Sequence, residues 1–360
     1  MSLGPDLQPS SRPATGATSL QPLTPSAPAW RRLLVPLLFL ALAVLLPLSD
    51  RLLPSTLAFA AQMPQLFVFG MVSLGLTVVT GFTGLLNLGV IAFMAIGVYV
   101  YAIATAPIYP FQIGFWPGVL LATLAGALSG VVLGLPTMRL RGDYLAIVTL
   151  GFGEIVQDCL KNLDVITKGT TGINPLPPPL IPGISGQHGY LPNYYLYLGL
   201  LVLAVLLVRN LRQSRTGRAW LAIRGDELAA RSMGIRVARQ KLAAFAVGAA
   251  LCACAGALFG ALHRASIEPS YYDFQQSVLV VAAVLIGGLG SLSGALLGTL
   301  LVFGLNLIVL GKLADALPSA TTGTNVLANP ANWKCLIYGL ALVLMMRFRP
   351  QGLLPERAGS

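Results

Sequence analysis

Two carboxylates lie inside an apolar stretch of the chain, where ionisable side chains are rare and usually have a function. Glu154 and Asp158 interrupt the apolar run 143–160, and a spacing of four residues puts both on one face of a helix. A carboxylate in this position can bind a cation, pair with another helix or cap a broken one. The two histidines, His188 and His263, lie in loops, and no nucleophile–base pair or paired-carboxylate arrangement accompanies them. These residue types favour recognition or transport over covalent catalysis.

Other polar and small residues in apolar stretches are candidates for the same region. Asn87 and Thr149 are lone polar residues, which within a membrane more often satisfy a hydrogen bond between helices than bind a solute. Gly287 and Gly288 belong to a glycine cluster that permits close helix approach or a broken helix. Glu154 completes this predicted translocation path; pairing with a partner helix is its first interpretation and contact with a substrate ammonium is the alternative. We expect neither a catalytic residue nor a metal site here.

The composition requires lipid around most of the chain. Of the 360 residues, 56% are hydrophobic and 10% are charged, whereas a soluble domain carries roughly a quarter charged residues. The apolar residues come in long blocks, and a block of about 20 residues in a bilayer must be a helix because its backbone has no water to bond. The expected fold class is all-α: a polytopic integral membrane protein of about ten transmembrane helices. The net charge of +11 is attributed to cytoplasmic loops, and no nucleic-acid binding is expected.

The apolar blocks and the charges between them predict a topology. The spans are placed at 33–48, 64–80, 88–105, 117–136, 143–160, 194–208, 242–262, 274–288, 293–311 and 333–347. Residues 1–29, rich in proline and serine, are expected to form a disordered cytoplasmic tail, 30–350 the transmembrane domain and 351–360 a second cytoplasmic tail. If the chain crosses the membrane at each of these spans, 17 of the 23 Lys and Arg residues lie on the same side of the membrane as the N-terminus. This bias predicts cytoplasmic N- and C-termini and an extracytoplasmic segment at 161–192.

The loop 209–241 contains nine of the basic residues and shows the signals of a short helix. Asp226 suits the N-cap, Glu227 suits the positive end of the helix dipole, and Gly234 suits the C′ position, where the chain turns left-handed. A helix of about eight residues, roughly 12 Å long, is predicted between those caps.

Two interpretations of this loop remain open on these residues. The alanines of the predicted helix, Ala229 and Ala230, would leave a thin surface that another protein could approach closely. On charge alone, a positive-inside loop with an interfacial helix anchored by Trp220 and Leu221 is the simpler interpretation.

The order of residues in this loop resembles a known family. The pattern Arg224-x-Asp226-Glu227-x-Ala229-Ala230-x-x-x-Gly234-Ile235 is similar to the cytoplasmic coupling motif of the LivM-type permeases of branched-chain amino-acid ABC importers, although the glutamate that heads the general ABC motif is displaced by one position. Further blocks resemble the family in order, at 80–89, 140–155, 287–294 and 349–355. Lys168 departs from the family, which usually has glycine there.

The resemblance implies a function and a set of partners. The chain would be the permease subunit, with 30–350 as its permease domain, that moves branched-chain or other neutral L-amino acids across a bacterial inner membrane. The implied partners are membrane lipid, a second homologous permease of the LivH kind, two ATP-binding subunits and an extracytoplasmic solute-binding protein. ATP would be used by those subunits, and no cofactor or enzymatic activity is expected of this chain, which has no phosphate-binding Gly-x-x-x-x-Gly-Lys-Ser/Thr loop. The residues expected to couple it to the ATPase are Arg224, Asp226, Glu227, Ala229, Ala230 and Gly234.

Three alternatives are weighed against this function. A urea or amide permease of the same superfamily would share the fold, and the glycine block at 287–294 and the ending at 349–355 look more like the amino-acid branch. An ion-coupled secondary transporter would require repeated carboxylates within the membrane, whereas only Glu154 lies deep in a predicted span. An intramembrane enzyme would require a constellation of reactive groups that the sequence does not show.

Overall fold

Apolar segments of the chain form helices in the computed structural model, because a helix satisfies its own backbone hydrogen bonds without water. The structure describes residues 62–138, 140, 142–174, 191–262, 267–305 and 352–354, with single positions at 47, 343 and 347, all within one unit that spans 43–360. The helices are α1 Met63–Leu76, α2 Val90–Thr105, α3 Phe115–Thr137, α4 Asp143–Asn162, α5 Leu191–Gln213, α6 Arg215–Gly225, α7 Glu227–Ser232, α8 Val237–Leu262, α9 Phe274–Gly287 and α10 Leu292–Gly304. A π-helical turn, Thr77–Gly81, extends α1. Short helical turns at Asp164–Thr167, Gly169–Thr171 and Pro269–Tyr271 lie in the connections.

The all-α class is confirmed for the residues that the structure describes. They form helices and connecting loops, and the β-structure among them is a single isolated bridge between Ile173 and Ile267. The predicted spans between residues 64 and 305 coincide with helices, whereas the spans at 33–48 and 333–347 lie outside the described ranges. Within the described ranges, four segments are long and apolar enough to cross a membrane: Met63–Gly81, Phe115–Thr137, Pro192–Gln213 and Val237–Leu262. α2 and α10 are shorter apolar helices.

α1 occupies the centre of the bundle, and α3 lies at its surface. Nearly every residue of α1 is buried, because this helix is apolar on all sides and packs against α5, α8, α9 and α10. α3 packs against α2 and α8 on one side only. Its other side exposes large aliphatic residues at helical spacing, namely Leu120, Leu121, Leu124, Leu128, Val132 and Leu135. An apolar face of this size in water would be unusual, and a lipid surface accounts for it.

Small residues allow α2, α3 and α8 to approach one another closely. A Cβ atom added to Gly97 of α2 would lie 2.1 Å from the carbonyl oxygen of Ala253 in α8, and one added to Gly256 of α8 would lie 2.1 Å from that of Met94 in α2. On α3, a Cβ atom at Gly126 would lie 2.2 Å from Cβ of Ala253. Helix association in membranes depends on such close backbone packing, since lipid gives apolar helices little other reason to associate.

The helix ends gather at two opposite ends of the bundle. At one end Arg224, which precedes α7, contacts Gly81 at the end of α1, and the Leu353 amide donates to the carbonyl oxygen of Ile286 in α9 at 2.9 Å. At the other end the bridge between Ile173 and Ile267 joins the connections that follow α4 and α8. The loop 209–241 and the segment 162–174 therefore lie at opposite ends, as alternating spans require.

Candidate coupling segment and translocation path

The segment 214–241, called here the coupling segment, contains two helices that fold back onto the start of α8. Ser214 caps α6 by accepting a hydrogen bond from the Gly217 amide at 3.2 Å. Trp220 is 1% exposed, and its indole Nε1 donates to the carbonyl oxygen of Gln240 at 2.9 Å. The interpretation of Trp220 as an interfacial membrane anchor is therefore wrong, because this indole finds its hydrogen-bond acceptor inside the protein rather than at the lipid headgroups.

The caps of α7 are those that the sequence predicts. Asp226 Oδ1 accepts hydrogen bonds from the amides of Leu228 at 2.7 Å and Ala229 at 3.1 Å. Gly234 has a positive φ of 82°, and the Ile235 amide donates to the carbonyl oxygen of Ala230 at 3.1 Å, which is a Schellman ending. The helix contains six residues rather than about eight, because the chain already leaves the helix at Met233 to reach the left-handed glycine.

Glu227 ties α7 to α8, one of the helices long and apolar enough to cross a membrane. Its Oε2 accepts a hydrogen bond from Lys241 Nζ at 2.9 Å, and its Oε1 lies 3.5 Å from Arg231 one turn along α7. Only 4% of the Lys241 side chain is exposed. From the sequence, Lys241 is predicted to be no more than one of the nine basic residues of the loop 209–241, and its position at the start of the apolar block 242–262 is the signal that sets it apart. A buried lysine requires a paired acid, and Glu227 supplies it.

The coupling residues divide into an inward and an outward set. Ala230 is buried against Ile223 and Val237 and so holds α7 in place. Leu228 and Met233, 61% and 86% exposed, lie on the outside together with exposed Ala229. These three residues form what we call the α7 surface. The prediction was a surface of small alanine side chains. The observed surface is bulkier, because the large side chains of Leu228 and Met233 project from it.

The chain breaks between α1 and α2, and two of the predicted path residues stabilise that break. Residues 84–89 are not helical, although Asn87 is 2% exposed. Asn87 Oδ1 accepts a hydrogen bond from the Gly89 amide at 3.0 Å, and Thr149 Oγ1 of α4 accepts one from the Leu88 amide at 3.0 Å. Irregular backbone inside a membrane protein must be satisfied in this way, and it characteristically lines a cavity. Asn87 and Thr149 thus satisfy backbone amides of the break itself.

Glu154 lies next to this break. It lines a small cleft with room for little more than a water molecule, between α4, α9 and the break, together with Leu88, Ala92, Leu150, Gly153, Tyr272, Asp273, Phe274 and Ser277. Among the described residues, Glu154 makes neither a hydrogen bond nor an ion pair. Burial raises the pKa of the loop residue Tyr272 well above its ordinary value, so the cleft is bordered by a neutral phenol.

Gly287 and Gly288 are not brought together with Glu154. They lie at the opposite end of α9 from Phe274, about 20 Å away along the helix axis. A Cβ atom at Gly287 would lie 2.0 Å from the carbonyl oxygen of Gly294, and Gly352 packs directly against Gly288. In this structure the two glycines permit tight packing near the coupling segment.

Comparison with known proteins finds sequence similarity to transport permeases. The family described as "Branched-chain amino acid transport system / permease component" matches residues 59–346. The high-affinity branched-chain amino acid transport system permease protein LivM of Salmonella typhimurium is 37% identical over 317 residues, which cover 82% of this chain and 69% of that protein. LivM of Escherichia coli K12 is 36% identical over 310 residues, or 80% of this chain and 68% of that protein. LivH of E. coli K12 is 32% identical over 158 residues, 44% of each chain. No solved structure matches the chain significantly.

Proposed function

The chain belongs to the family of permease components of branched-chain amino-acid transport systems, and from this membership we propose that it is the membrane-spanning permease subunit of an ABC importer for branched-chain or other neutral L-amino acids. The observation that carries the proposal is the α7 surface. In a chain that matches LivM permeases over most of its length, a capped and anchored helix presents two apolar side chains and an alanine to the outside, at the end of the bundle where the basic residues collect. This is a site at which a separate ATPase subunit can dock.

The experiment is ATP-dependent uptake of labelled leucine into proteoliposomes. The chain is reconstituted with a LivH-like permease, two ATPase subunits and a solute-binding protein. We expect uptake that requires ATP and the binding protein. Uptake driven by an ion gradient without ATP would contradict the proposal, and uptake of urea in place of leucine would contradict the substrate class.

Ten spans with both termini in the cytoplasm are part of the same proposal. It is supported by two exposed residues that lie at opposite ends of the helix bundle: Thr170, beyond α4, and Ser232, in α7. In a background in which the exposed Cys159 and also Cys335 are replaced by alanine, we expect Thr170→Cys to react with an impermeant maleimide in intact spheroplasts. Ser232→Cys should react only after permeabilisation. Labelling of Ser232→Cys in intact spheroplasts would reverse the topology.

A second permease subunit is proposed to cover the outer face of α4. The exposed side of α3 is aliphatic, whereas the exposed side of α4 combines Tyr144, Ile147 and Ile155 with the carboxylate of Asp158. A carboxylate facing lipid is unfavourable, so this face is better matched to protein or water. The similarity of the chain to LivH supports a homologous partner in this position.

Glu154→Gln tests the path. The variant keeps the shape of the side chain and removes the charge that the cleft would offer to a substrate ammonium or a moving helix. We expect leucine uptake to fall by about fivefold or more while the ATPase subunits still co-purify. Asp164→Asn, the same loss of charge at an exposed carboxylate in the helical turn that follows α4, is the control and should transport normally. Wild-type leucine uptake by Glu154→Gln would show that the charge of this residue is not needed for transport, and would favour a purely structural role.

A further inference from the structure

Arg224 is an exposed residue of the coupling segment, but the end of its side chain reaches the bundle. It lies in the last turn of α6, and its Nη1 donates a hydrogen bond of 2.6 Å to the carbonyl oxygen of Gly81, 143 residues earlier in the chain. Its stem packs on the break: a Cβ atom at Gly84 would lie 3.3 Å from Cγ of Arg224. At the other end of the loop, the guanidinium of Arg212 lies 5.9 Å from the ring centroid of Phe82. Two arginines from the cytoplasmic side thus hold residues 81–84.

The group that Arg224 holds is the end of α1. Gly81 closes the π-helical turn Thr77–Gly81. The Thr80 carbonyl still accepts a hydrogen bond from the Gly84 amide at 3.2 Å, whereas the Gly81 carbonyl, just before the non-helical residues 84–89, accepts from Arg224. A guanidinium satisfies such a carbonyl and complements the negative end of the helix dipole. π-Helical turns occur frequently at functional sites and are places where a helix can change its register. Thr80 Oγ1, in the same turn, is buried and finds no hydrogen-bond partner in the part of the chain described, so the hydrogen bonding of this turn is incomplete in this state.

A continuous set of contacts then runs from the α7 surface to the cleft. Arg224 is separated from the N-cap of α7 by a single residue, Gly225. From Gly81 the chain enters the break at 84–89, where Leu88 lines the cleft that contains Glu154. The other connection of α7, from Glu227 to Lys241, leads to α8 instead. Of these two contacts, the one through Arg224 leads to irregular backbone beside the cleft.

We propose that Arg224 is a positioning residue that transmits displacement of α7 to the break between α1 and α2. This inference rests on the proposed function. When a docked ATPase moves α7, the guanidinium pulls on the Gly81 carbonyl and shifts residues 82–89 against α4. The fork of an arginine suits this role because it holds the carbonyl in a defined direction, whereas a lysine is a flexible point charge.

The test compares Arg224→Gln and Arg224→Lys with Arg218→Gln in the complete reconstituted transporter. Arg218 is an exposed arginine of the same helix whose guanidinium bonds the nearby carbonyl oxygen of Gln213 at 2.8 Å, so it controls for loss of a cytoplasmic charge. We expect Arg224→Gln to bind the ATPase subunits and hydrolyse ATP within about twofold of wild type, while leucine uptake falls by about tenfold or more. Arg224→Lys should be intermediate, and Arg218→Gln should be unchanged.

A second readout follows the break directly. Leu86, 39% exposed within the break, is replaced by cysteine in the background that lacks Cys159 and Cys335. Its maleimide labelling is compared with and without ATP and vanadate. With Arg224 present, we expect the extent of labelling to change when ATP and vanadate are added. In Arg224→Gln, we expect the same extent of labelling with and without them.

Three outcomes would overturn the inference. The first is a wild-type ratio of leucine uptake to ATP hydrolysis in Arg224→Gln, or in Arg224→Lys if the glutamine variant does not assemble. The second is loss of ATPase binding by the variant that assembles, which would place Arg224 in the docking surface. The third is Leu86→Cys labelling that still responds to ATP and vanadate in that variant as it does in the wild type. Failure of the proposed function is distinct, because the wild-type complex itself would then show no ATP-dependent uptake.

Discussion

Replacing Gly256 by leucine is expected to prevent stable assembly of the helix bundle. The new Cβ atom would lie 2.1 Å from the carbonyl oxygen of Met94 and 3.1 Å from the amide nitrogen of Val98, both backbone atoms of α2. Side chains can rotate out of such a contact, but backbone cannot, so α2 and α8 would have to separate along their whole interface. Overpacking of a core typically destabilises by about 1–3 kcal/mol, and a contact with backbone belongs at or above the upper end of that range.

Gly199→Leu is the matched control for this prediction. Gly199 is an exposed glycine of α5 with no atom within 4 Å of an added Cβ. Leucine has a better intrinsic helix propensity than glycine by about 1 kcal/mol, so this variant should be as stable as the wild type or slightly more so. The measurement is the monodisperse fraction in mild detergent and its thermal half-loss. A Gly256→Leu variant that melts with the wild type would contradict the close approach of α2 and α8.

Replacing Ala229 by arginine is expected to uncouple the transporter without unfolding it. Ala229 is exposed on the α7 surface between the anchored residues Asp226 and Ala230, so a large side chain can be accommodated by the isolated chain. Once an ATPase subunit packs on that surface, the same arginine would be buried without a partner. Truncated or unpaired charges at the centre of an interface weaken binding by several kcal/mol, so ATPase co-purification and leucine uptake should both fall by about tenfold or more.

Ala222→Arg distinguishes interface loss from a general effect of charge. Ala222 is an exposed alanine of α6 in the same basic loop, and its replacement adds the same side chain outside the α7 surface. We expect normal ATPase association for Ala222→Arg. Normal association and uptake by Ala229→Arg would remove the case for α7 as the docking site. The pattern expected here, loss of binding and transport together, also differs from that of Arg224→Gln, in which transport falls and binding persists.

The sequence alone was sufficient for features that depend on neighbouring residues. The helical spans between residues 64 and 305 follow from apolar blocks, because each helix satisfies its own backbone within the block. The caps of α7 were predictable for the same reason: Asp226 bonds amides two and three residues away, and Gly234 ends the helix through its own φ angle. The family blocks likewise established a permease, since the order of residue types in the chain suffices to recognise them.

The tertiary structure decided which residues meet across the sequence. Thr149 meets the Leu88 amide over 61 residues, Arg224 meets the Gly81 carbonyl over 143, and Trp220 bonds to Gln240 rather than to a membrane interface. Residue types do not indicate these partners, because a threonine, an arginine or an indole can bond many acceptors and the packing of α1, α4 and α8 selects among them. The same packing separated Gly287 from Glu154 and buried Lys241 beside Glu227. Which coupling residues face the bundle and which face outward depends on how α7 docks onto α8, and that docking depends on long-range contacts rather than on local propensity.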